Sequence, residues 1–284
     1  MNDISKTMTR RVMKRSAWKY STIVTGGFAR THIDPVGPPR GCETCRYGNE
    51  TGEQTCKRCY PEDCWQPRKS KLQSTKIEWV RNPDGSKGKS WNVLTGCYGP
   101  GGSAEHPAVC HYCYAEKIAH RFAGSKAFPN GFAPTWHPER LTEPVSLRKP
   151  SRVFVGSMSD MFADFVHPLW WTQMLGTMWM ADWHTYYVLT KQPQRIMAVL
   201  DGQEPLPNVW IGASVDTGQR ARDTYEAMSA VRAAGWHTFA SLEPLLGKVS
   251  PSSLGWAQWV IVGSLTGPGS HRRQPESEWI TDIL

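Results

Sequence analysis

The stretch Trp91-Asn92-Val93-Leu94-Thr95-Gly96-Cys97, followed after a gap of twelve residues by Cys110-His111-Tyr112-Cys113-Tyr114-Ala115-Glu116, decides how the rest of this chain is read. The apolar run over 91–96 predicts a strand. The Gly/Pro-rich segment beyond Cys97 predicts a loop, and residues 114–124 predict a helix. Three cysteines, Cys97, Cys110 and Cys113, therefore stand where a first strand gives way to a first helix. Three thiolates can hold a [4Fe–4S] cluster and leave one iron without a protein ligand. Such clusters ordinarily take four cysteines. An open position is the mark of a catalytic rather than a structural site, as it is for zinc.

The same alternation repeats outward from this stretch. Apolar runs recur at 152–158, 185–190, 208–215, 238–242 and 258–263, and helical patterns fall between them at 168–181, 193–200 and 218–234. Val153-Phe154-Val155 and Trp259-Val260-Ile261-Val262 lack polar alternation, as strands buried on both faces do. The predicted class is α/β: a parallel sheet with helical crossovers, open or curled into a barrel. The long segment 125–150 reads as a lid or insertion.

In such folds ligands gather at the C-terminal ends of the strands. The six runs end in Cys97, Ser157-Met158-Ser159-Asp160, Lys191, Ser214-Val215-Asp216, Ser241-Leu242-Glu243-Pro244 and Gly263-Ser264. Polar groups at every end predict one shared mouth. The plainer alternative is that Asp160 and Asp216 cap the helices that follow.

The rest of the chain reads differently. Residues 1–40 form a basic arm closing in Pro35-Val36-Gly37-Pro38-Pro39, 41–64 a cysteine-rich module, 65–90 a connector with the turn Asn82-Pro83-Asp84-Gly85, and 91–284 the catalytic α/β unit. The net charge of +8 lies wholly in residues 1–76, which carry 15 Lys and Arg against 7 Asp and Glu. Trp18, Tyr20, Tyr47, Tyr60 and Trp65 punctuate that excess. Such a segment predicts nucleic-acid contact, through phosphate neutralisation and stacking, against the alternative of a solvated tail. Cys42-x-x-Cys45 and Cys56-x-x-Cys59 predict a four-cysteine metal site, a small zinc ribbon or an auxiliary Fe–S cluster, with Cys64 left over. No apolar stretch of membrane-spanning length and no secretory h-region occur, and the C-x-x-C pairs suit a reducing compartment. A cytoplasmic location is expected.

Lys76-Ile77-Glu78-Trp79, the Cys97 and Cys110–Cys113 stretches, Val155-Gly156-Ser157-Met158-Ser159-Asp160-Met161-Phe162, Val188-Leu189-Thr190-Lys191-Gln192-Pro193, Asn208-Val209-Trp210-Ile211-Gly212-Ala213-Ser214-Val215, Ser241-Leu242-Glu243-Pro244-Leu245-Leu246-Gly247 and Trp259-Val260-Ile261-Val262-Gly263 together resemble, in order, the phage-associated three-Cys-motif family, a radical-SAM-like group. The resemblance implies a partial (β/α)6 barrel, a [4Fe–4S] cluster on Cys97, Cys110 and Cys113, and S-adenosylmethionine. It implies reductive cleavage of that cofactor to a 5′-deoxyadenosyl radical, fed by an electron donor such as flavodoxin or ferredoxin. By the same analogy Ser214 or Asp216 would hold ribose, and backbone at Gly156-Ser157 or Gly263-Ser264 the methionine or adenine. Asp160, Lys191 and Glu243 would bind the methionine carboxylate or act on substrate. The twelve-residue gap between Cys97 and Cys110 is longer than the family's usual spacing, and the chain stops at Leu284, within the expected sixth helix. The leading reading is a radical-SAM enzyme acting on DNA or a nucleotide. Two others are a non-catalytic nucleic-acid-binding protein, its cysteines closed by His106 or His111, and a radical-SAM enzyme with a peptide or small-molecule substrate.

Overall fold

The structure, a computed structural model, describes residues 72–265 and 274–283. The basic arm, the module with Cys42, Cys45, Cys56, Cys59 and Cys64, and the leading part of the connector lie outside the described residues. The elements are β1 (Gln73–Ser74), β2 (Lys89–Trp91), β3 (Leu94–Thr95), α1 (Tyr114–Arg121), β4 (Thr135–Trp136), α2 (Glu143–Ser146), β5 (Arg152–Val155), α3 (Pro168–Met180), β6 (Thr185–Thr190), α4 (Ile196–Val199), β7 (Val209–Ser214), α5 (Gly218–Ala233), β8 (His237–Leu242), β9 (Trp259–Val262) and α6 (Ser277–Ile283).

The main sheet has the order β1-β2-β5-β6-β7-β8-β9. The strands from β2 to β9 run parallel, and β1 is an antiparallel edge. The fold is thus a mixed α/β structure on a mostly parallel sheet. Because the parallel strands lie in the order of the chain, right-handed crossovers put their helices on one face. The packing agrees. Val153, Val155, Tyr186, Val188, Val209, Ile211, Ala213, Ala240 and Leu242 share one core with Trp171, Met174, Met178, Ala221, Met228 and Val231 of α3 and α5. On the other face Phe154, Tyr187, Phe239 and Ile261 gather around Val80 and Trp79, which arrive on a 3-10 turn at Glu78–Val80.

Trp79 shows that the sheet is curled. Its ring centroid lies 5.1 Å from that of Phe154 on β5, 5.8 Å from those of Tyr187 and Phe239, and 5.9 Å from that of Trp259 on β9. On a flat sheet β5 and β9 would stand about 19 Å apart. One indole can meet both only if the strands wrap around it. The helix-free face is therefore concave and Trp79 plugs it. Among the described residues no ladder joins β1 to β9.

The runs expected over 185–190, 208–215, 238–242 and 258–263 match β6 to β9 to within two residues. The first run does not hold. β2 ends at Trp91, the chain turns at Asn92, and Leu94–Thr95 pairs with Thr135–Trp136 in a separate two-stranded sheet. The cause is the Asn92 amide. Its Oδ1 accepts the Ser157 hydroxyl at 3.0 Å and the Met158 N–H at 3.3 Å, which ends the ladder. The segment 125–150, read as a lid or insertion, is pinned, which favours an insertion over a lid. Trp91 Nε1 donates to Arg140 O at 2.8 Å, Arg140 Nη1 to Asn92 O at 2.9 Å, and His137 N to Val93 O at 2.8 Å. It carries the chain from β2 back to β5.

Candidate active site

The cysteine loop is built from its backbone. Gly96 has φ +84°, and a Cβ there would lie 2.4 Å from Ala133 O, so only glycine fits before Cys97. Gly96 N donates to Met158 O at 2.9 Å and Cys97 N to Phe132 O at 3.1 Å, which fixes the first thiol over the end of β5. The twelve-residue gap closes on itself: Ala108 N donates to Tyr98 O at 2.6 Å and Gly102 N to Gly99 O at 3.1 Å. The excursion returns Cys110 to the neighbourhood of Cys97. Cys113 N donates to Cys110 O at 2.8 Å, and the Cys113 thiol caps α1, accepting Glu116 N at 3.4 Å. Sulfur at a helix N-terminus is placed where negative charge is stabilised.

All three are free thiols, partly buried. Burial, above all, pushes Cys97 up to about 12, with Asp160, Cys113 and Cys110 adding to it. Burial raises Cys110 too. Lys191 and Arg220 oppose that rise, while Cys113 and Asp216 add to it. Cys97 feels both Cys110 and Cys113, and Cys110 feels Cys113, so the three are gathered. Among the described residues no three His, Cys, Asp or Glu side chains are drawn tightly enough to hold a single metal ion.

Around Cys110 lies a charged network. Tyr112 OH donates to Asp216 Oδ2 at 2.5 Å, and Arg220 Nε to Asp216 Oδ1 at 2.7 Å. Burial, then the Asp216 carboxylate, raises the Tyr112 phenol and keeps it protonated. The Lys191 ammonium lies 5.7 Å from the centroid of the Tyr112 ring, and among the described residues no carboxylate pairs with it. Among the described residues it is the unpaired cation beside Cys110.

The remaining candidates fall into two groups. Asp160 does not cap a helix. Its carboxylate accepts Thr190 Oγ1 at 2.6 Å, Lys191 N at 2.8 Å and Phe162 N at 3.0 Å, so it fastens the end of β6 to the loop after β5. Nor does Asp216 cap α5; Thr217 does, accepting Arg220 N at 3.3 Å. Gly156 and Gly263 spend their backbone groups within the fold, on Trp91 O and Ser159 N and on Leu242 O and Leu245 N. Ser157 donates to Asn92 and accepts the Tyr114 hydroxyl at 2.5 Å. Ser214 and Ser241 are buried and in register. Ser264 follows β9 at the same end of the sheet. Glu243 reaches the concave face, where Trp79 Nε1 donates to its Oε2 at 3.0 Å. Tyr112, Tyr114, Trp79 and Arg220 were not singled out by sequence reasoning. The Asp216/Arg220 spacing of four on a helical pattern was a usable signal, as were the tyrosines flanking Cys113; Trp79 lay in the quoted Lys76–Trp79 motif, which gave it no role.

The sequence family described as protein of unknown function, DUF5131, matches residues 74–284. The chain belongs to this family. No curated protein matches it. Among solved structures, three of spore photoproduct lyase are similar in part. One, a double mutant with bound AdoMet and dinucleoside spore photoproduct, is 13% identical with a TM-score of 0.44 over 71% of this chain and 62% of that one. A single mutant is 17% identical with a TM-score of 0.42 over 63% and 50%. A complex with dinucleoside spore photoproduct is 14% identical with a TM-score of 0.39 over 63% and 50%. The chain spans about half the length of most of these lyase chains. No helix among the described residues of this DUF5131 member is long and apolar enough to cross a membrane.

Proposed function

We propose that this DUF5131 protein is a radical S-adenosylmethionine enzyme that modifies or repairs nucleic acid, DNA by preference, on a partial (β/α)6 barrel. The observation that carries the reading is the set of three free thiols, Cys97, Cys110 and Cys113, gathered at the C-terminal end of a curled parallel sheet. The donor set fits a [4Fe–4S] cluster. Two of the sulfurs already accept amide N–H groups, from Gly99 at 3.2 Å and from Glu116. Burial penalises thiolates that lack a cation, as the raised Cys97 and Cys110 show. When bound with S-adenosylmethionine, the cluster supplies one-electron chemistry able to take hydrogen from an unactivated carbon.

The chain's own residues orient and enclose. Lys191, aimed by the bond from its amide to Asp160, offers an ammonium to the methionine carboxylate. This assigns Asp160 a positioning role, since one carboxylate repels another. Asp216, held by Tyr112 and Arg220, keeps lone pairs for ribose hydroxyls beside Ser214. The aromatic plug around Trp79 seals the concave face from the other end and excludes water there. Residues 1–76 supply the nucleic-acid grip by phosphate contact, and Cys42, Cys45, Cys56 and Cys59 bind zinc. An electron donor such as flavodoxin or ferredoxin completes the system, a cytoplasmic one, and the resemblance to the phage-associated three-Cys-motif group belongs to this reading.

Anaerobic reconstitution with iron and sulfide tests it. Broad visible thiolate-to-iron absorption and reductive cleavage of S-adenosylmethionine are expected, both lost on Cys97→Ala, Cys110→Ala or Cys113→Ala. Full cleavage by Cys110→Ala would sink the assignment. Nucleic-acid affinity should fall with salt at a log–log slope of roughly −0.7 to −0.9 per phosphate contact. If that slope and the affinity survive deletion of residues 1–40, the basic arm is not the grip.

A further inference from the structure

The helix α1 leaves the cysteine loop with one apolar face turned to water. Seven large apolar side chains stand exposed among the described residues. Three of them, Tyr114 at 52%, Ile118 at 38% and Phe122 at 50%, belong to this helix and the residue that ends it. They recur every four residues, so they form one stripe about 12 Å long. The core does not use that stripe. Ala115 and Ala119 bury the helix instead, in a cluster with Phe128, Phe132 and Met158. The stripe starts at the mouth, where the Tyr114 hydroxyl donates to Ser157 O at 2.5 Å just past β5. It ends at a tight turn that carries Lys126, closed by Ser125 N on Phe122 O at 3.1 Å and Phe128 N on Ser125 O at 3.0 Å.

Cations accompany the stripe. Lys117 and Arg121, four apart, run along one side of it, and both are exposed, as is Lys126. The Arg121 guanidinium carbon lies 5.5 Å from the centroid of the Phe122 ring, so cation and ring form one unit. Among the described residues no carboxylate pairs with Lys117, Arg121 or Lys126. Glu116, the one carboxylate of α1, sits on the other side of the helix, 3.8 Å from the His120 ring. A merely solvated helix face carries charges but does not gather three large apolar side chains into a row. Rings interleaved with unpaired cations match a polyanion that also offers flat faces.

We infer that the outer face of α1 is a docking surface for single-stranded nucleic acid, with bases stacked on Tyr114 and Phe122 and phosphates met by Lys117, Arg121 and Lys126. The inference rests on the nucleic-acid reading above and gives it a surface separate from residues 1–76. An unpaired strand is the fitting guest, because a duplex keeps its base faces stacked on one another. The stripe also sets a direction. A strand laid along it from Phe122 reaches Tyr114 at the end of β5, beside the cysteine that caps the helix.

Fluorescence anisotropy of the full chain with oligo(dT) of about twelve nucleotides, titrated with salt, tests this. Lys117→Gln combined with Arg121→Gln removes two exposed charges and should make the log–log salt slope shallower by roughly 1.4, two contacts to a single strand. Phe122→Ala should weaken binding about fivefold or more without changing the slope, and an abasic strand of the same length should not register it. Iodouracil placed in the strand should photocrosslink to Tyr114 or Phe122, read by mass spectrometry of the peptides. Affinity and slope unmoved by all three substitutions, or crosslinks confined to residues 1–76, overturn the surface. So does a charge pair that leaves strand binding unchanged while slowing S-adenosylmethionine cleavage driven by reduced flavodoxin and not by dithionite; the face would then receive the electron donor. Cleavage assayed in parallel separates the two readings. If cleavage is absent while slope and crosslinks answer as expected, the radical chemistry falls and the surface stands. If cleavage persists and the native chain binds the strand while every variant binds it equally, the surface alone falls.

Discussion

Replacing Asp160 by Ala asks whether this carboxylate fastens the mouth or takes part in chemistry. The side chain is 8% exposed and accepts three hydrogen bonds, from Thr190 Oγ1, Lys191 N and Phe162 N. Truncation leaves a hydroxyl and two amide N–H groups without their acceptor. Each orphaned group costs about 1–3 kcal/mol. The Thr190 hydroxyl can rotate toward another acceptor and water can reach part of the gap, so the expected total is about 2–4 kcal/mol. For a folded unit of this size that is a fall in Tm of about 5–15 °C. Asp160→Asn keeps one oxygen but turns its NH2 group toward the Lys191 N–H, and should lose about half as much. Near-UV circular dichroism melts of the full chain and both variants measure this, alongside cleavage of S-adenosylmethionine. Activity should fall with stability, because Lys191 loses the anchor on its amide. An Asp160→Ala protein that melts within about 1 °C of the native one would refute the fastening argument. If it were also inactive, Asp160 would belong to the catalytic set.

Two further outcomes follow from the backbone and the buried histidines. Gly96→Ala forces a side chain into φ +84° and against Ala133 O at 2.4 Å. The conformation alone should cost about 1–3 kcal/mol, and iron content after reconstitution should drop as Cys97 shifts; unchanged iron and melting would count against the role given to Gly96. His184 accepts Ser151 N at its Nδ1 and contacts Pro144 O at 3.0 Å through Nε2. Burial holds it below the ordinary histidine value, against a weaker pull from its backbone hydrogen bonds. Its stabilising contribution is therefore complete above about pH 6.5 and is lost as the pH falls from there toward its lower folded value. His137, also depressed by burial and by Arg140, acts in the same direction. Urea midpoints between about pH 7 and about pH 5 should fall for the native chain and fall less steeply for His184→Gln. Parallel slopes would contradict the assignment.

Much of this site was legible because its signals are local. A cysteine pair spaced for a helix N-terminus, and polar residues closing each apolar run, can be read within a few residues. The end of β2 was not, because Asn92 ends the ladder by binding Ser157 and Met158, some 65 residues on. The pairing of Trp79 with Glu243 exists only once the sheet has curled, and no window of sequence holds both. The saturation of Asp160 was hidden for the same reason: Asp-Met-Phe reads as a helix cap until β6 brings Thr190 and Lys191 alongside. Whether the segment 125–150 was a lid or an insertion could not be read locally, because its anchors, Trp91 and Asn92, precede it across the cysteine loop.

The concave face changes character along the length of each strand, and that has a consequence for how such a protein can diverge. β6 runs from Tyr187 to Lys191 just beyond its end, β7 from Trp210 to Ser214, and β8 from Phe239 to Ser241 and then Glu243. Each passes from aromatic to polar within about four residues, roughly 13 Å. The groups that hold the curl closed and the groups that face a guest are therefore different rungs of the same strands. Descendants could exchange the upper rungs one strand at a time, trying new guests, while the lower rungs kept the curvature unchanged. Substitution tolerance in a lineage should accordingly be graded along the strand direction, not divided between elements.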